Sequence, residues 1–376
     1  MARSNRNDVA RRAGVAPSTV SNVLNGRASA LRIADATAER VRRAARELGY
    51  IPQASARSLR SGGSSTIGLM LAPLPPSPFV PIVHEVVTAA ITATQRRGKL
   101  VLPFADPGEE DEGTAYVDRV LTDVDLAGVV CERSAHNLAA GRRLHELEVP
   151  VVWMSLAATT RRPPGIAHVM VDQAAGWAPL LDSLEVDDDK EVALLVGPMF
   201  RPARLDLVAE RFPGRTRLLE ATSWLPDGGA QAVHQLLADG ARIGAVVCAD
   251  DSLAHGAMLA LREEGIDVPG EISVVGFGGW EEPVTGVGTL ASASWPVRDL
   301  TEAAVGALLD HVEGVHRREL AAEAPVTAML DSVPLPGPSA RLRAASARPV
   351  REPGTQSSAG RPSGSARSTG PSADSR

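Results

Sequence analysis

Residues 8–26 read DVARRAGVAPSTVSNVLNG, a string that divides into a helix, a tight turn and a second helix. In the first helix Val9, Ala10 and Ala13 share one side. Gly14 supplies the left-handed backbone that ends it. In the second, Val20, Val23 and Leu24 fall at helical spacing and form an inward face. Ser18, Ser21, Asn22 and Asn25 recur at i, i+3, i+4 and i+7 on the opposite side. That outward face is short, polar and uncharged, which lets it approach base edges closely.

Charge separates this pattern from an ordinary helical hairpin. Residues 1–62 contain 12 arginines, no lysine and four acids (Asp8, Asp35, Glu39, Glu47), a net +8, whereas the whole 376-residue chain is −6. A basic head on an acidic body implies a polyanion partner for the head alone.

A third helix is predicted over 37–48, with Val41, Ala44, Ala45 and Leu48 at 3-4-3 spacing and Gly49 as its stop. Three short helices around one small core make a helix-turn-helix module, whose second helix lies in the major groove. Residues 45–62 then read ARELGYIPQASARSLRSG. Gln53 to Arg60 is a candidate short helix, with Arg57 and Arg60 for phosphates and Leu59 as a lone exposed apolar side chain. Such a helix is marginal alone in water. An apolar wedge of this kind enters the minor groove and unstacks a base step.

DVARRAGVAPSTVSNVLNG followed by ELGYIPQASARSLRSG resembles the head and hinge of the lactose-repressor/galactose-repressor (LacI/GalR) family of bacterial transcription factors. The resemblance continues through TIGLMLAP (66–73), VVCADDSLAHGAMLAL (246–261) and VPGEISVVGFGG (268–279), covering about residues 5–335. It implies a dimeric, operator-binding regulator, a repressor whose large domain senses a small molecule. It places Pro17, Ser18 and Asn22 at bases, Thr19 and Ser21 at phosphates, and Leu59 at the minor-groove wedge; Asn25, on the polar face, and Arg57 are further candidates for phosphates. Departures are visible. Many relatives carry Arg at the position of Asn22, and an Asn there can pair with adenine. Ala16 replaces a common Ser N-cap, and residues 27–33 are about three residues longer than usual.

Beyond residue 66, nine apolar runs alternate with helical segments: 66–72, 99–105, 126–131, 149–156, 167–172, 191–197, 217–221, 243–250 and 272–277. Their apolar character is continuous rather than alternating, which predicts strands buried on both faces in parallel sheets between helices. Helices are expected over 83–96, 137–147, 228–239 and 252–264. Two open sheets suit this length better than one. The resemblance supplies the arrangement: an N-terminal all-α helix-turn-helix domain followed by an α/β periplasmic-binding-protein-like (type I) effector domain of two parallel-sheet subdomains, joined by three crossings. The expected divisions are 1–50 (head), 51–65 (hinge helix and linker), 66–333 (effector binding and dimerisation) and 334–376 (disordered basic tail).

Ligands in open α/β sheets bind beyond the carboxyl ends of the strands. Phe79, Asp106, Arg201, Arg204, Trp224 and Asp251, with Asp250 beside it, follow such ends and form the candidate effector site. Arginine, carboxylate and aromatic side chains suit a sugar or a nucleobase-like ligand through bidentate hydrogen bonds and stacking. Asp251 as a cap for the helix from Ser252, and Trp224 as ordinary core, stand as alternatives. The family's usual Gly-Phe-Asp-Asp is Gly276-Phe277-Gly278-Gly279 here, and the segment 198–204 is about three residues shorter than usual.

The eight histidines lack metal-ligand spacing, and no nucleophile elbow or phosphate loop occurs. Neither a cofactor, nor a metal, nor enzymatic activity is expected. Cys131 and Cys248 sit in apolar runs and read as buried free thiols. No signal-like or membrane-spanning stretch is visible, giving a cytoplasmic protein with no membrane partner. The expected partners are an operator in double-stranded DNA, a small-molecule effector and a second or further copy of the chain. A solute receptor without a DNA role, an enzyme using the cleft, and a regulator with a degenerate effector site are the competing readings. The segment from 334 onward is rich in Pro, Ser, Gly, Ala and Arg and buries too little to order itself.

Overall fold

The computed structural model describes residues 5–24, 26, 28–50, 64–73, 81–105, 114–198, 203–279 and 289–343. Three helices form the head: α1 (Arg6–Ala13), α2 (Pro17–Leu24) and α3 (Asp35–Glu47). The side chain of Asn5 accepts from the backbone N–H groups of Asn7 and Asp8, and Asp8 accepts from the N–H of Asn5 in return. Gly14 ends α1 at φ 65°, as its position in the sequence requires. Val9, Ala10, Ala13, Val20, Val23, Val41, Ala44 and Ala45 pack as the head's core, with Leu24 and Leu48 half-buried at its margin. The candidate helix over 53–60 lies outside the described residues.

The body consists of two lobes. Lobe 1 contains β1 (Thr66–Leu71), α4 (Pro81–Arg96), β2 (Leu100–Ala105), α5 (Ala115–Asp123), β3 (Val129–Glu132), α6 (Asn137–Glu146), β4 (Val151–Ser155) and β5 (Ala167–Asp172). Lobe 2 contains α7 (Ala174–Ser183), β6 (Glu191–Val196), α8 (Asp206–Arg211), β7 (Thr216–Glu220), α9 (Pro226–Ala238), β8 (Ile243–Cys248), α10 (Asp251–Glu263), β9 (Ser273–Val275) and β10 (Ser292–Ala293). The chain then returns to lobe 1 for α11 (Val297–Val312) and β11 (Val326–Asp331), and ends in lobe 2 with β12 (Pro334–Leu335). The lobe 1 sheet runs β11-β5-β4-β3-β1-β2 and the lobe 2 sheet β7-β6-β8-β9. Every pairing within both is parallel.

Alternate residues of each strand enter different cores. In lobe 1, Ile67, Leu69, Val130, Val152 and Met154 meet α4 and α11. Met70, Val129, Cys131 and Trp153 meet α5 and α6 on the other face. Lobe 2 repeats the scheme with α7 and α8 against Val192, Leu194 and Val247, and α9 and α10 against Ala193, Leu195 and Val246. Both cysteines are free and buried. All nine expected strands are present, with ends shifted by up to three residues.

Two expectations fail. β11 reads VTAMLD and was not anticipated: it is an edge strand with Val326, Met329 and Asp331 exposed, so it lacks a continuous apolar run. The boundary at 333/334 also moves, because residues 334–342 belong to lobe 2. β12 pairs antiparallel with β10. Ser339 Oγ donates to the carbonyl of Val274 (2.7 Å) and accepts from the N–H of Ala291 (2.8 Å). Leu342 bridges to Leu184. Backbone pairing and small buried residues, Ser339 and Ala340, order this stretch, and a search for large apolar side chains overlooks both. The rest of the tail lies outside the described residues.

Three short segments pass between the lobes, around Gln173, Trp295 and Val333. They bond to each other. The N–H of Ser332 donates to the carbonyl of Asp172 (2.9 Å), that of Ser294 to Val333 (2.8 Å), and that of Val333 to Ser294 Oγ (2.9 Å). A Cβ on Gly176 would lie 2.8 Å from backbone atoms of Ser332 and Val333. Gly176→Ala therefore lowers stability by about 1–3 kcal/mol. Gly306→Ala, in α11 with open space around it, raises stability by about 0.5–1 kcal/mol. Chemical denaturation of the two variants beside the parent checks both signs.

A second prediction concerns His168, buried in lobe 1 with Nε2 2.6 Å from Ser155 Oγ. Burial, then the charges of Arg133 and Arg162, pushes its pKa down to about 4. The unfolded imidazole takes a proton below about pH 6.5 while the folded one stays neutral. Stability from this group is therefore complete above pH 6.5 and lost as pH falls toward 4, by on the order of 3 kcal/mol. Denaturation midpoints against pH should show the fall, and His168→Gln should flatten it.

Candidate functional site

On the head, α2 presents Pro17 and Ser18 to solvent, with Thr19 and Asn22 partly covered. Ser21 does not join them. It is 8 % exposed and its Oγ accepts from Arg6 Nη1 at 3.4 Å. Position 21 lies only 100° around the helix from fully buried Val20, so α1 covers it, and its expected place on the outward face is corrected. Asn25, Arg57 and Leu59 lie outside the described residues.

Three of the head's four acids, Asp8, Glu39 and Glu47, are engaged. Arg12 clamps Glu47 (2.9 and 3.1 Å), tying α1 to α3. Arg46 donates to Glu39 at 2.8 Å, and that hydrogen bond, opposed by a little desolvation, holds the Glu39 carboxyl below its ordinary range. Asp8 pairs with Arg11 (3.3 Å). Such exposed pairs add little stability. Their effect is to fix arginines on one scaffold while the excess positive charge remains outward.

In the body, the arginine of the candidate cleft is the most elaborately held side chain. Arg204 follows β6 in a 3₁₀ turn (Ala203–Leu205) and is 5 % exposed. Its Nη1 donates to Gln173 Oε1 (2.8 Å), and its Nη2 to the carbonyl of Ala249 at the end of β8. The guanidinium lies 3.8 Å from the ring centre of Phe277, 5.4 Å from that of Trp295 and 5.5 Å from that of Trp177. Burial pushes its pKa down to about 9, opposed by the charges of Asp250 and Asp251, so it is cationic at neutral pH. Its Nε is buried with no hydrogen-bond partner among the described residues.

The two aspartates divide their tasks. Asp250 caps α10, accepting from the N–H of Ser252 at 2.7 Å. Burial raises its carboxyl pKa, against the Ser252 bonds and the charge of Arg204. Asp251 is fully buried, and its Oδ1 accepts from Ser292 Oγ at 2.7 Å. Asp251, an expected effector residue, is thus turned to Ser292 in this structure; the capping alternative is corrected, because the helix starts one residue earlier than the apolar spacing indicates and Asp250 is its cap.

Trp224 lies against Gly197, where a Cβ would come within 2.3 Å of the indole, and donates Nε1–H to the carbonyl of Pro198 (3.0 Å). It packs partly on both lobe 2 cores. Gly278 and Gly279, at φ 141° and 69°, hold the second crossing: the N–H of Trp295 donates to the carbonyl of Gly278 (3.0 Å). A Cβ on Gly279 would come within 2.9 Å of Leu335 and 3.1 Å of Ser294. Phe79, Asp106 and Arg201 lie outside the described residues. Among the described residues no cluster of side chains could hold a metal ion, and no helix is long and apolar enough to cross a membrane.

Gln173, Trp177, Phe277 and Trp295 were not singled out from the sequence. Only the scarcity of aromatics, 3 % of the chain, points at the two tryptophans. Asp251→Ala should lower stability by about 1–3 kcal/mol by leaving the buried Ser292 hydroxyl without its acceptor. A residue serving only a ligand should leave stability unchanged or raise it, and thermal unfolding without any ligand separates the two cases.

Comparison with known proteins agrees with this architecture. The family described as "Bacterial regulatory proteins, lacI family" matches residues 7–53, and the "Periplasmic binding protein-like domain" matches residues 203–329. The HTH-type transcriptional regulator AscG of Escherichia coli K12 is 27 % identical over 335 residues, covering 82 % of this chain and 91 % of that protein. The HTH-type transcriptional repressor PurR of Erwinia tasmaniensis is 28 % identical over 315 residues, covering 81 % and 89 %. Among solved structures, the lac repressor dimer bound to operator and the anti-inducer ONPF superposes with a TM-score of 0.69 at 23 % identity, covering 91 % of this chain and all of that one. The complex of the transcriptional regulator CelR with cellobiose does so at 0.56 and 22 %, covering 90 % and all. The head thus matches the lacI family of bacterial regulatory proteins and the body the periplasmic-binding-protein-like domain, and the relatives that span both are HTH-type transcriptional regulators.

Proposed function

We propose that the protein is a transcriptional repressor that binds a pseudo-palindromic operator as a dimer and is controlled by a small molecule held between its lobes. The carrying observation is the arginine-rich helix-turn-helix head, which exposes Pro17 and Ser18 at the start of α2. That is the end a recognition helix presents to bases. Pro17, Ser18 and Asn22 read bases, with the Asn22 amide suited to adenine. Thr19, Asn25 and Arg57 hold phosphates, and Leu59 wedges the central minor-groove step.

Two heads reach successive major-groove faces. The lac repressor structure is that of a dimer on operator, which supports the same assembly here. The effector belongs to the sugar or nucleobase-like class; CelR is seen with cellobiose, and the cleft combines a stacked arginine with tryptophan faces. Phe79, Asp106, Arg201, Arg204 and Trp224 serve it. A coupling of about 1–3 kcal/mol between cleft and head changes operator affinity about 5–150-fold. The relatives are regulators, and the protein acts by binding rather than catalysis, in the cytoplasm. The division into head (1–50), linker (51–65) and effector domain from 66 is retained, with the last extended through 342.

Mobility shifts against genomic fragments and random duplex test the reading: one fragment preferred over random DNA is expected, and equal affinity for all overturns it. On that fragment Asn22→Ala loses about 1–3 kcal/mol of discrimination with the salt slope intact, and Arg57→Ala reduces the slope by about one. Leu59→Ala weakens specific binding far more than nonspecific binding.

A further inference from the structure

One continuous chain of hydrogen bonds runs from lobe 1 to lobe 2 through a residue with no role so far. Gln173 lies on the first crossing and is 5 % exposed. Its Nε2 donates to the carbonyl of Leu156, just past β4 of lobe 1 (2.5 Å). Its Oε1 accepts from Arg204 Nη1 (2.8 Å), and Arg204 Nη2 donates to Ala249, just past β8 of lobe 2. The Leu156 carbonyl also accepts from Nε1 of Trp295 (3.0 Å), whose ring covers the same guanidinium. Both ends of the Gln173 amide and both Nη groups of Arg204 are thereby occupied within the protein. Among the described residues the Nε of Arg204 has no partner.

We infer that Gln173 is a positioning residue that latches the two lobes by holding Arg204, so that an effector gains the forked face of Arg204 only by displacing Gln173. The inference rests on the reading of the cleft as the effector site and adds how that site is switched. A ligand oxygen that replaces Oε1 of Gln173 turns the amide away from Arg204 and weakens its grip on Leu156. Effector capture is thereby converted into freedom between the lobes. A ligand that meets Nε alone leaves the latch shut. The site therefore distinguishes an acceptor that reaches the fork, such as a paired sugar hydroxyl or a ring-edge carbonyl, from one that does not.

Two indole N–H groups report the latch without ligand or DNA. That of Trp295 bonds across the lobes to Leu156, whereas that of Trp177 bonds within lobe 2 to the carbonyl of Gly276 (3.0 Å). Hydrogen exchange of both is followed by NMR in the full-length protein labelled at tryptophan. In Gln173→Leu, exchange at Trp295 is expected to rise about tenfold with Trp177 unchanged, the size of effect that loss of a buried hydrogen bond to a charged group produces. Arg204→Met is expected to do the same, and the double variant no more than either alone, because the two side chains act as one unit. Equal acceleration at both indoles would mean a general loosening of lobe 2 and overturns the latch, as does no change at Trp295, or additive effects in the double variant. Gln173→Glu keeps the acceptor for Arg204 and removes the donor to Leu156, so Trp295 should accelerate even though Arg204 stays held; a parent-like rate there also overturns it. None of these readings involves an operator. Failure of the latch thus leaves the proposed repressor intact, and failure to prefer any DNA fragment leaves the latch intact.

Discussion

Two parallel sheets share this body, and neither contributes a strand to the other. Each lobe is sandwiched between its own helices and closes its own apolar core. The lobes are joined by three short crossings bonded to one another through Ser294, Ser332 and Val333. Small residues are required there because the strands approach closely: Gly176 leaves no room for a methyl, and Gly279 little. Two rigid bodies on a narrow hydrogen-bonded joint have few ways to move, which is what a ligand-driven two-state element needs.

The same constraint explains the cleft. A buried guanidinium is costly unless its donors are met. Arg204 meets this with one amide, one carbonyl and three aromatic faces. These come from the first crossing, from the end of β8, from α7, from the segment after β9 and from the second crossing. Arg204 therefore senses the relative placement of most parts that meet at the joint. The glycines at 278 and 279 belong to the same economy of space, since the backbone of the second crossing lies where side chains would otherwise project.

Much of this was legible in the chain. Continuous apolar runs marked the nine strands because parallel sheets are covered on both faces, and the 3-4 spacing of Val9, Val20 and Val41 with their neighbours marked the head's core. What escaped detection lacked either signal. β11 is an edge with exposed apolar residues, and residues 334–342 are held by backbone pairing and serine hydroxyls. Ser21 was misplaced because a face read from spacing alone ignores which neighbour lies across it. The helix cap falls one residue before Asp251, at Asp250, a shift that apolar spacing does not resolve. Gln173 was invisible: its importance comes from a contact with Arg204, 31 positions away, which no local pattern encodes.

Cys131 lies in the central part of the lobe 1 sheet and Cys248 at the corresponding depth of lobe 2, both fully buried, with burial raising each thiol far above its ordinary range. In the folded protein neither sulfur is a nucleophile. The chain thereby contains one silent reporter per lobe. An alkylating reagent reaches Cys131 only when the first sheet opens and Cys248 only when the second does. The two modification rates, read by mass spectrometry on the unaltered protein, measure the opening free energy of each lobe separately.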